Sequence, residues 1–337
     1  MLLAGDIGGT HTRLAFFTVQ DVDLKLIVDA TFPSRHYPNL EALVHTFVTS
    51  HQQPIDQACF GIAGPVQHGR SEATNLAWVV DAWRVAQALH LEAVGLLNDL
   101  EAHAYGIAML TPEDVVVLSE GSPGASGNSV IIVAGTGLGE AGLCWDGRQH
   151  RPFASEGGHT TFVPQNALEM ELLRYLLRQF THVSWERVVS GPGLHNLYRF
   201  LRDTGRGEEP AWLREEMQQG DPAAAISAAA LAGTCGLCAQ ALDLFVSLYG
   251  AEAGNLALKL MATGGIYVGG GIAPKILAKL QDATFMEAFV AKGRMRPLLE
   301  RIPVRVMLND KTALLGAARY AALHASSPDT RPSPGVI

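Results

Sequence analysis

The chain has 337 residues, more than the roughly 250–300 at which a single hydrophobic core stops growing, so two domains are expected. Apolar residues make up 48%, as in a globular protein; 25 Lys and Arg stand against 33 Asp and Glu, a net charge of -8, with no run of five or more basic residues. That balance argues against nucleic acid or an anionic membrane as a partner.

The first elements read as strands: LLAGDI, TRLAFFTV and LIVDATF, separated by short turns. ACFGIAG and VGLLND are further apolar runs ending in small or polar residues, each beside a helical pattern. Together these form one α/β unit, residues 1–109. A second unit, 110–307, opens on SVIIVAGTGLGEAGLCW and continues through helical segments to GGIYVGGGIAPKIL; residues 308–325 are expected to return to the first unit. Strand, Gly/Thr turn, strand therefore occurs at 2–17 and again at 130–145, which points to two related halves.

Pro222–Leu242 carries no charge and is long enough to span a membrane. Its Ala, Gly, Ser, Thr and Gln content, with Asp221 as cap and Pro222 as first helical residue, predicts instead a helix buried in the large domain. Cys235 and Cys238 have the spacing of a redox pair but fall inside that helix, where packing accounts for them better. The other cysteines, Cys59 and Cys144, complete no disulfide framework, and no secretory leader pattern is present, so the cytoplasm is the expected location. Residues 326–337, rich in Pro and Ser, read as a loose tail.

Three glycine turns lack the Walker pattern, and two of them, GDIGGT and GTGLGE, also lack the Rossmann spacing. What remains is a pair of hairpin turns whose backbone N–H groups, with the hydroxyls of Thr10 and Thr136, could cradle phosphate oxygens without a lysine. Asp6 would then partner a magnesium ion, which reverses the repulsion between a carboxylate and phosphates. In the third turn, Gly264–Gly271, backbone without side chains would let a flat adenosine approach, before a helix opening at Ala273 and Pro274. Taken singly, either of the first two turns reads better as ordinary hairpin vocabulary; the two together with GGIYVGGG favour the phosphate reading.

Among candidate polar residues, Asp99 ends an apolar strand before a helical run, as a helix cap or as a base aimed into a cleft. Glu156 and His159 lie in SEGGH, where Gly157 and Gly158 allow a bend turning both toward one ligand. A zinc pair fails there for want of further ligands, and a plain loop acid with a surface histidine is the alternative. Glu186 falls two residues after Ser184 at an expected helix start, where an acid also offsets the helix dipole.

GDIGGT (5–10), AGTGLG (134–139) and GGIYVGGGI (264–272) resemble the phosphate and adenosine segments of the superfamily of sugar kinases, actin and heat-shock chaperone ATPases. FGIAGPV, TNLAW, LLNDLEA, SEGGHTTF and ERVVSGPGLHNLY resemble, in order along nearly the whole chain, the bacterial glucokinases. The resemblance implies an α/β, two-domain actin-like ATPase (ribonuclease H-like) fold with a cleft between a small and a larger domain. It implies ATP-dependent phosphorylation of D-glucose at the 6-hydroxyl, the first step of glycolysis, in a cytoplasmic homodimer. Asp99 corresponds to the general base and Asn98 to a ring-hydroxyl partner, with Glu156, His159 and Glu186 as further sugar ligands. ATP would lie on Gly5, Asp6, Ile7, Gly8, Gly9, Thr10, Thr136, Gly137, Gly269 and Gly270, with Mg²⁺ on Asp6 through water.

Two positions depart from the family: His11 replaces the usual Asn after GDIGGT, and Leu100 the usual aromatic after Asn-Asp. The zinc-containing repressor and sugar kinase (ROK) branch would need a cysteine cluster after the SEGGH segment, and none is there. The alternatives are a kinase for another hexose or an N-acylhexosamine, and a sugar-sensing regulator. The latter is expected to carry a helix-turn-helix before the first phosphate turn, where only four residues precede Gly5.

Overall fold

The computed structural model describes residues 1–20, 23–73 and 76–324. Thr74 and Asn75 of TNLAW and the tail expected at 326–337 lie outside the described residues. The chain divides into two compact units, one of Met1–Thr111 with the chain from Asn309 onward, the other of Pro112–Leu308.

The first unit contains β1 (Leu2–Ile7), β2 (His11–Gln20), β3 (Asp23–Pro33), α1 (Leu40–His51), β4 (Gln57–Ile62), the ribbon β5 (Arg70–Glu72) and β6 (Val79–Asp81), α2 (Ala82–Leu89), β7 (Gly95–Asn98) and α3 (Asp99–Gly106). Its main sheet has the order β3-β2-β1-β4-β7, an antiparallel meander extended by two parallel strands. Alternation along β1 sorts its side chains. Leu3 and Ile7 join Phe16, Leu43, Phe47 and Phe60 on one face, while Leu2 and Ala4 join Ala15, Phe17, Leu97 and Ala102 on the other. The same alternation carries Asp6 to the face that Leu2 and Ala4 share.

The second unit contains β8 (Val115–Ser119), β9 (Ser129–Ala134), β10 (Leu138–Trp145), β11 (His150–Ser155), α4 (Ala167–Leu176), α5 (Gly191–Asp203), α6 (Ala211–Gln219), α7 (Pro222–Leu231), α8 (Gly236–Lys259), β12 (Gly265–Gly269), α9 (Leu277–Leu280), α10 (Ala283–Val290), α11 (Arg296–Leu299) and β13 (Val304–Met307). Its sheet runs β11-β10-β9-β12-β13-β8. The first five strands repeat the plan of the other unit, a meander followed by two parallel strands, and antiparallel β8 is added at the far edge. The recurrence of strand, glycine turn, strand in the sequence is thus a recurrence of topology. The last helix, α12 (Thr312–Leu323), packs in the first unit against α3 and β1.

The uncharged stretch Pro222–Leu242 is not the single helix expected. Asp221 does cap α7 through Ala223, with Pro222 at its start. The helix then stops at Leu231, Gly233 turns the chain with φ +69°, and α8 begins at Gly236, bent by 103° from α7. α8 is buried along most of its length and α7 through Ala225, Ile226 and Ala229, so the expectation of burial holds for α8 and for one face of α7. Among the described residues no single helix is long and apolar enough to cross a membrane. Cys235 is consequently the cap residue of α8 rather than an interior one, its Sγ accepting the Cys238 N–H at 3.4 Å. Burial pushes the Cys238 thiol up, away from the reactive thiolate form, and all four cysteines are free.

Candidate active site

In the first unit, β7 ends where α3 begins, at Asn98 and Asp99. The cap is Asn98, not Asp99: Asn98 Oδ1 accepts the Leu100 N–H at 2.9 Å, and Glu101 Oε2 accepts the Asn98 N–H at 3.2 Å. Asn98 Nδ2 also donates to Gly64 O at 3.1 Å, leaving one amide N–H outside these bonds. Asp99 is the first helical residue, with its Oδ1 3.0 Å from the Leu100 N–H, in the favourable field of a helix N-terminus. His103 Nδ1 lies 2.9 Å from Asp99 O, one turn further on.

The depth at which α3 sits is set by glycines. A β-carbon on Gly316 would stand 1.7 Å from Ala102 O, and one on Gly106 would stand 2.0 Å from Thr312 O, so α3 and α12 meet backbone to backbone. On the sheet side, a β-carbon on Gly61 would stand 2.8 Å from that of Ala102 and 3.8 Å from Asp99 Cα. Gly61 belongs to the FGIAGPV motif, but its reason for being glycine was not visible in the sequence.

The GDIGGT turn is held from behind. Gly8 N–H bonds His11 O at 3.0 Å; Ser34 N–H bonds Thr10 O at 3.0 Å, and Ser34 Oγ donates to Gly8 O at 2.9 Å. Carbonyls of the turn are thereby committed inward, and the amides of Gly9 and Thr10 take no part in these bonds. Ser34, fully buried and lying outside every motif, escaped sequence reasoning. His11 contributes backbone to the turn while its side chain is exposed, and Leu100 is buried.

Asp6 pairs across β1 and β2 with Arg13, whose guanidinium is committed to Asp310, 3.0 Å to the carboxylate and 3.1 Å to the carbonyl. Burial holds the Asp6 carboxyl above the usual range, His103 and Arg13 pull it back, and Asp310 pushes it further up. A carboxylate so penalised gains from a bound cation. One such group with a second carboxylate nearby fits Mg²⁺, which takes one or two carboxylates and completes its shell with water and phosphate oxygens. Among the described residues no three His, Cys, Asp or Glu converge as a metal cage. Asp310 carries no local signal in the sequence, since its partner Arg13 lies 297 residues away.

In the second unit the two glycine turns touch one another. Gly135 N–H bonds Gly137 O at 2.9 Å, Gly135 O accepts the Gly191 N–H of α5 at 2.8 Å, and Ala134 O accepts the Ile272 N–H at 3.3 Å. Gly270 has φ +89° and lies so close that a β-carbon would stand 2.3 Å from Ala134 O, which only glycine permits. The chain after this turn forms a 3₁₀ turn, Ala273–Ile276, before the four-residue α9, rather than the regular helix expected.

Glu186 sits on the 3₁₀ turn Trp185–Arg187, not at the start of an α-helix, and Ser184 makes no side-chain cap. Its Oε2 accepts the Leu138 N–H at 3.2 Å, and a β-carbon on Gly137 would stand 2.5 Å from that oxygen. An expected sugar ligand is therefore in contact with an expected phosphate turn. Glu156 Oε2 and His159 Nε2 lie 3.9 Å apart, both more than half exposed. His159 and Glu186 line one cavity of about 370 Å³ with Thr181, His182, Ser184 and Arg187. Gly157 abuts Glu140, a buried carboxyl that sequence reasoning missed.

Two α/β units of repeated topology, with glycine turns at their strand ends, make up the actin-like ATPase fold of a sugar kinase. The Glucokinase family profile matches residues 3–324. A glucokinase of Nostoc sp. is 44% identical over 338 residues, covering 96% of this chain and 99% of that one. The solved glucokinase of an Antarctic psychrotroph superposes with a TM-score of 0.83 at 32% identity, covering 96% of this chain and 98% of that one. The glucokinase of Balamuthia mandrillaris, solved with glucose, shares the fold at TM-score 0.78 and 21% identity, over 95% of this chain and 93% of that one. The chain belongs to the glucokinase family.

Proposed function

We propose that the chain, an enzyme of the glucokinase family, transfers the γ-phosphoryl group of ATP to the 6-hydroxyl of D-glucose, with Asp99 as general base. Glucose phosphorylation is the activity of the enzyme; the roles of individual side chains are the proposal. The 6-hydroxyl oxygen attacks the γ-phosphorus, its proton passes to the Asp99 carboxylate, and the bond from that phosphorus to the bridging oxygen breaks to release ADP. The observation that carries this reading is the fixed position of Asp99. It opens α3 beside a complete capping box, and α3 is seated by glycine contacts on two sides.

Asn98 offers its remaining amide N–H to a ring hydroxyl, and Glu156, His159 and Glu186 bind other hydroxyls. A site built from such groups rejects ligands that leave them unpaired. The GDIGGT turn and the turn at Thr136 and Gly137 take the ATP phosphates, with Gly269 and Gly270 against adenosine. Asp6 would hold Mg²⁺ through water; when bound, the ion neutralises charge on the phosphate oxygens. A cytoplasmic homodimer serving the first step of glycolysis completes the reading, and light scattering tests the dimer.

Asp99→Asn tests the base. Turnover in a coupled ADP-release assay is expected to fall by on the order of 10² to 10⁴, with glucose affinity by calorimetry largely retained. Near-normal turnover in a clean preparation would sink the assignment.

A further inference from the structure

Tyr249 lies in the middle of α8, fully buried in the core of the second unit. Its ring is wedged between Phe245 and Phe285, with centroids 5.9 and 5.7 Å away and both rings edge-on. The aim of the hydroxyl is therefore set by the core. That hydroxyl meets three backbone groups: the Ala134 N–H donates to it at 3.3 Å, and it reaches Ile132 O at 3.1 Å and Gly269 O at 3.2 Å.

Those three groups belong to the ends of two neighbouring parallel strands, where Val133 of β9 stands opposite Gly269 of β12. Ala134 is the last residue of β9 before the turn at Gly135, Thr136 and Gly137, and Gly269 is the last of β12 before Gly270 and Gly271. One phenol thus ties the sheet together at the point where both glycine turns leave it. Strand ends fray when their last N–H and C=O groups lack partners, and here a core side chain adds a partner to three of the backbone groups beside the turns.

We infer that Tyr249 is a positioning residue for the nucleotide, its hydroxyl holding the turns at 134–138 and 269–272 in the arrangement that receives ATP. This rests on the reading that those turns bind ATP. Without the hydroxyl the turns occupy more arrangements, and binding must supply the ordering that the core now provides. Glu156 and His159 lie on a different turn, beyond β11, and share none of these bonds. Glu186 does meet this region, through Leu138, which is itself paired with Ala134 in the β9–β10 ladder, so the sugar side feels the change through that one hydrogen bond while Glu156 and His159 do not share it.

The test is Tyr249→Phe, which keeps the ring and removes the hydroxyl. Calorimetry with Mg-ADP and steady-state kinetics with Mg-ATP are expected to show nucleotide affinity weakened about three- to tenfold, the scale of one buried hydrogen bond. The KM for glucose should stay within about twofold. A merely structural tyrosine would lower Tm and leave the nucleotide dissociation constant unchanged, and that result overturns the inference. Equal losses for glucose and nucleotide overturn it as well. Hydrogen exchange on the wild type provides a check that needs no variant: the Ala134 amide should be protected before nucleotide is added, and fast exchange there refutes preordering. Wild-type protein that binds no Mg-ADP would overturn the ATP reading itself, and this inference with it.

Discussion

Glu140 lies on β10 with 1% exposure, and neither carboxyl oxygen has a hydrogen-bond partner among the described residues. Its ladder neighbours are Ile132 on β9 and Ser155 on β11. Nearby on α8 is Glu252, also buried, bonded to Asn255 at 2.8 Å and to Lys259 at 3.2 Å. Lys292 completes the cluster through Ala251 O and Asn255 Oδ1. Burial and then the charge of Glu252 push the Glu140 carboxyl from 4.5 up to about 8, with Lys259 pulling it back. The folded protein thus keeps a proton that the unfolded chain releases near pH 4.5. The stability this confers is complete below that pH and is lost as pH rises through about 8. At 1.36 kcal/mol per unit, the loss between pH 5 and pH 8 is roughly 3 kcal/mol. Glu140→Gln keeps the shape and removes the titration. Its buried amide adds an offset that is the same at every pH, and Glu252 titrates in both proteins, so the pH dependence of the difference is the readout. Urea unfolding of both proteins at pH 5, 6, 7 and 8 should show the variant gaining on the wild type by roughly 3 kcal/mol across the series. Parallel curves would mean that Glu140 is ionised in the folded protein and would refute the reasoning.

Asp6→Ala should weaken Mg-ATP binding far more than glucose binding. It should not lower Tm at neutral pH, because burial penalises the charge that is removed; calorimetry showing unchanged Mg-ATP affinity and turnover would return Asp6 to an ordinary turn residue. Gly61→Ala forces a β-carbon against Ala102 in the first turns of α3. Overpacking of this kind costs about 1–3 kcal/mol, and displacement of Asp99 should lower kcat by about tenfold or more with Mg-ATP affinity retained. Wild-type kcat and Tm in that variant would show that α3 yields without moving its base.

The sequence by itself determined those features whose causes lie within a few residues. Period-two alternation beside glycine turns marked the hairpins at 2–17 and 130–145, and Asp221 before Pro222 marked a helix start. The Asn-Asp pair marked a junction of strand and helix, and motif order marked the family. Tertiary structure decided what depends on partners remote along the chain. Asn98 rather than Asp99 is the cap through a capping box with Glu101 that is itself local, while Gly64, 34 residues away, holds its side-chain amide. The uncharged run broke at Gly233, within LAGTCG, whose glycines and threonine are poor helix formers, and the packing decided that its two halves take separate positions in one core. Glu186 met Leu138 across 48 residues, and the Tyr249 hydroxyl met Ile132 across 117. Ser34, Glu140 and Tyr249 carried no local signal, since a serine, a glutamate or a tyrosine acquires such a role only from the groups that burial places against it. Local hydrogen bonding and alternation are written in neighbouring residues, whereas close approach and the partner of a buried polar group are set only when the sheets and helices have packed.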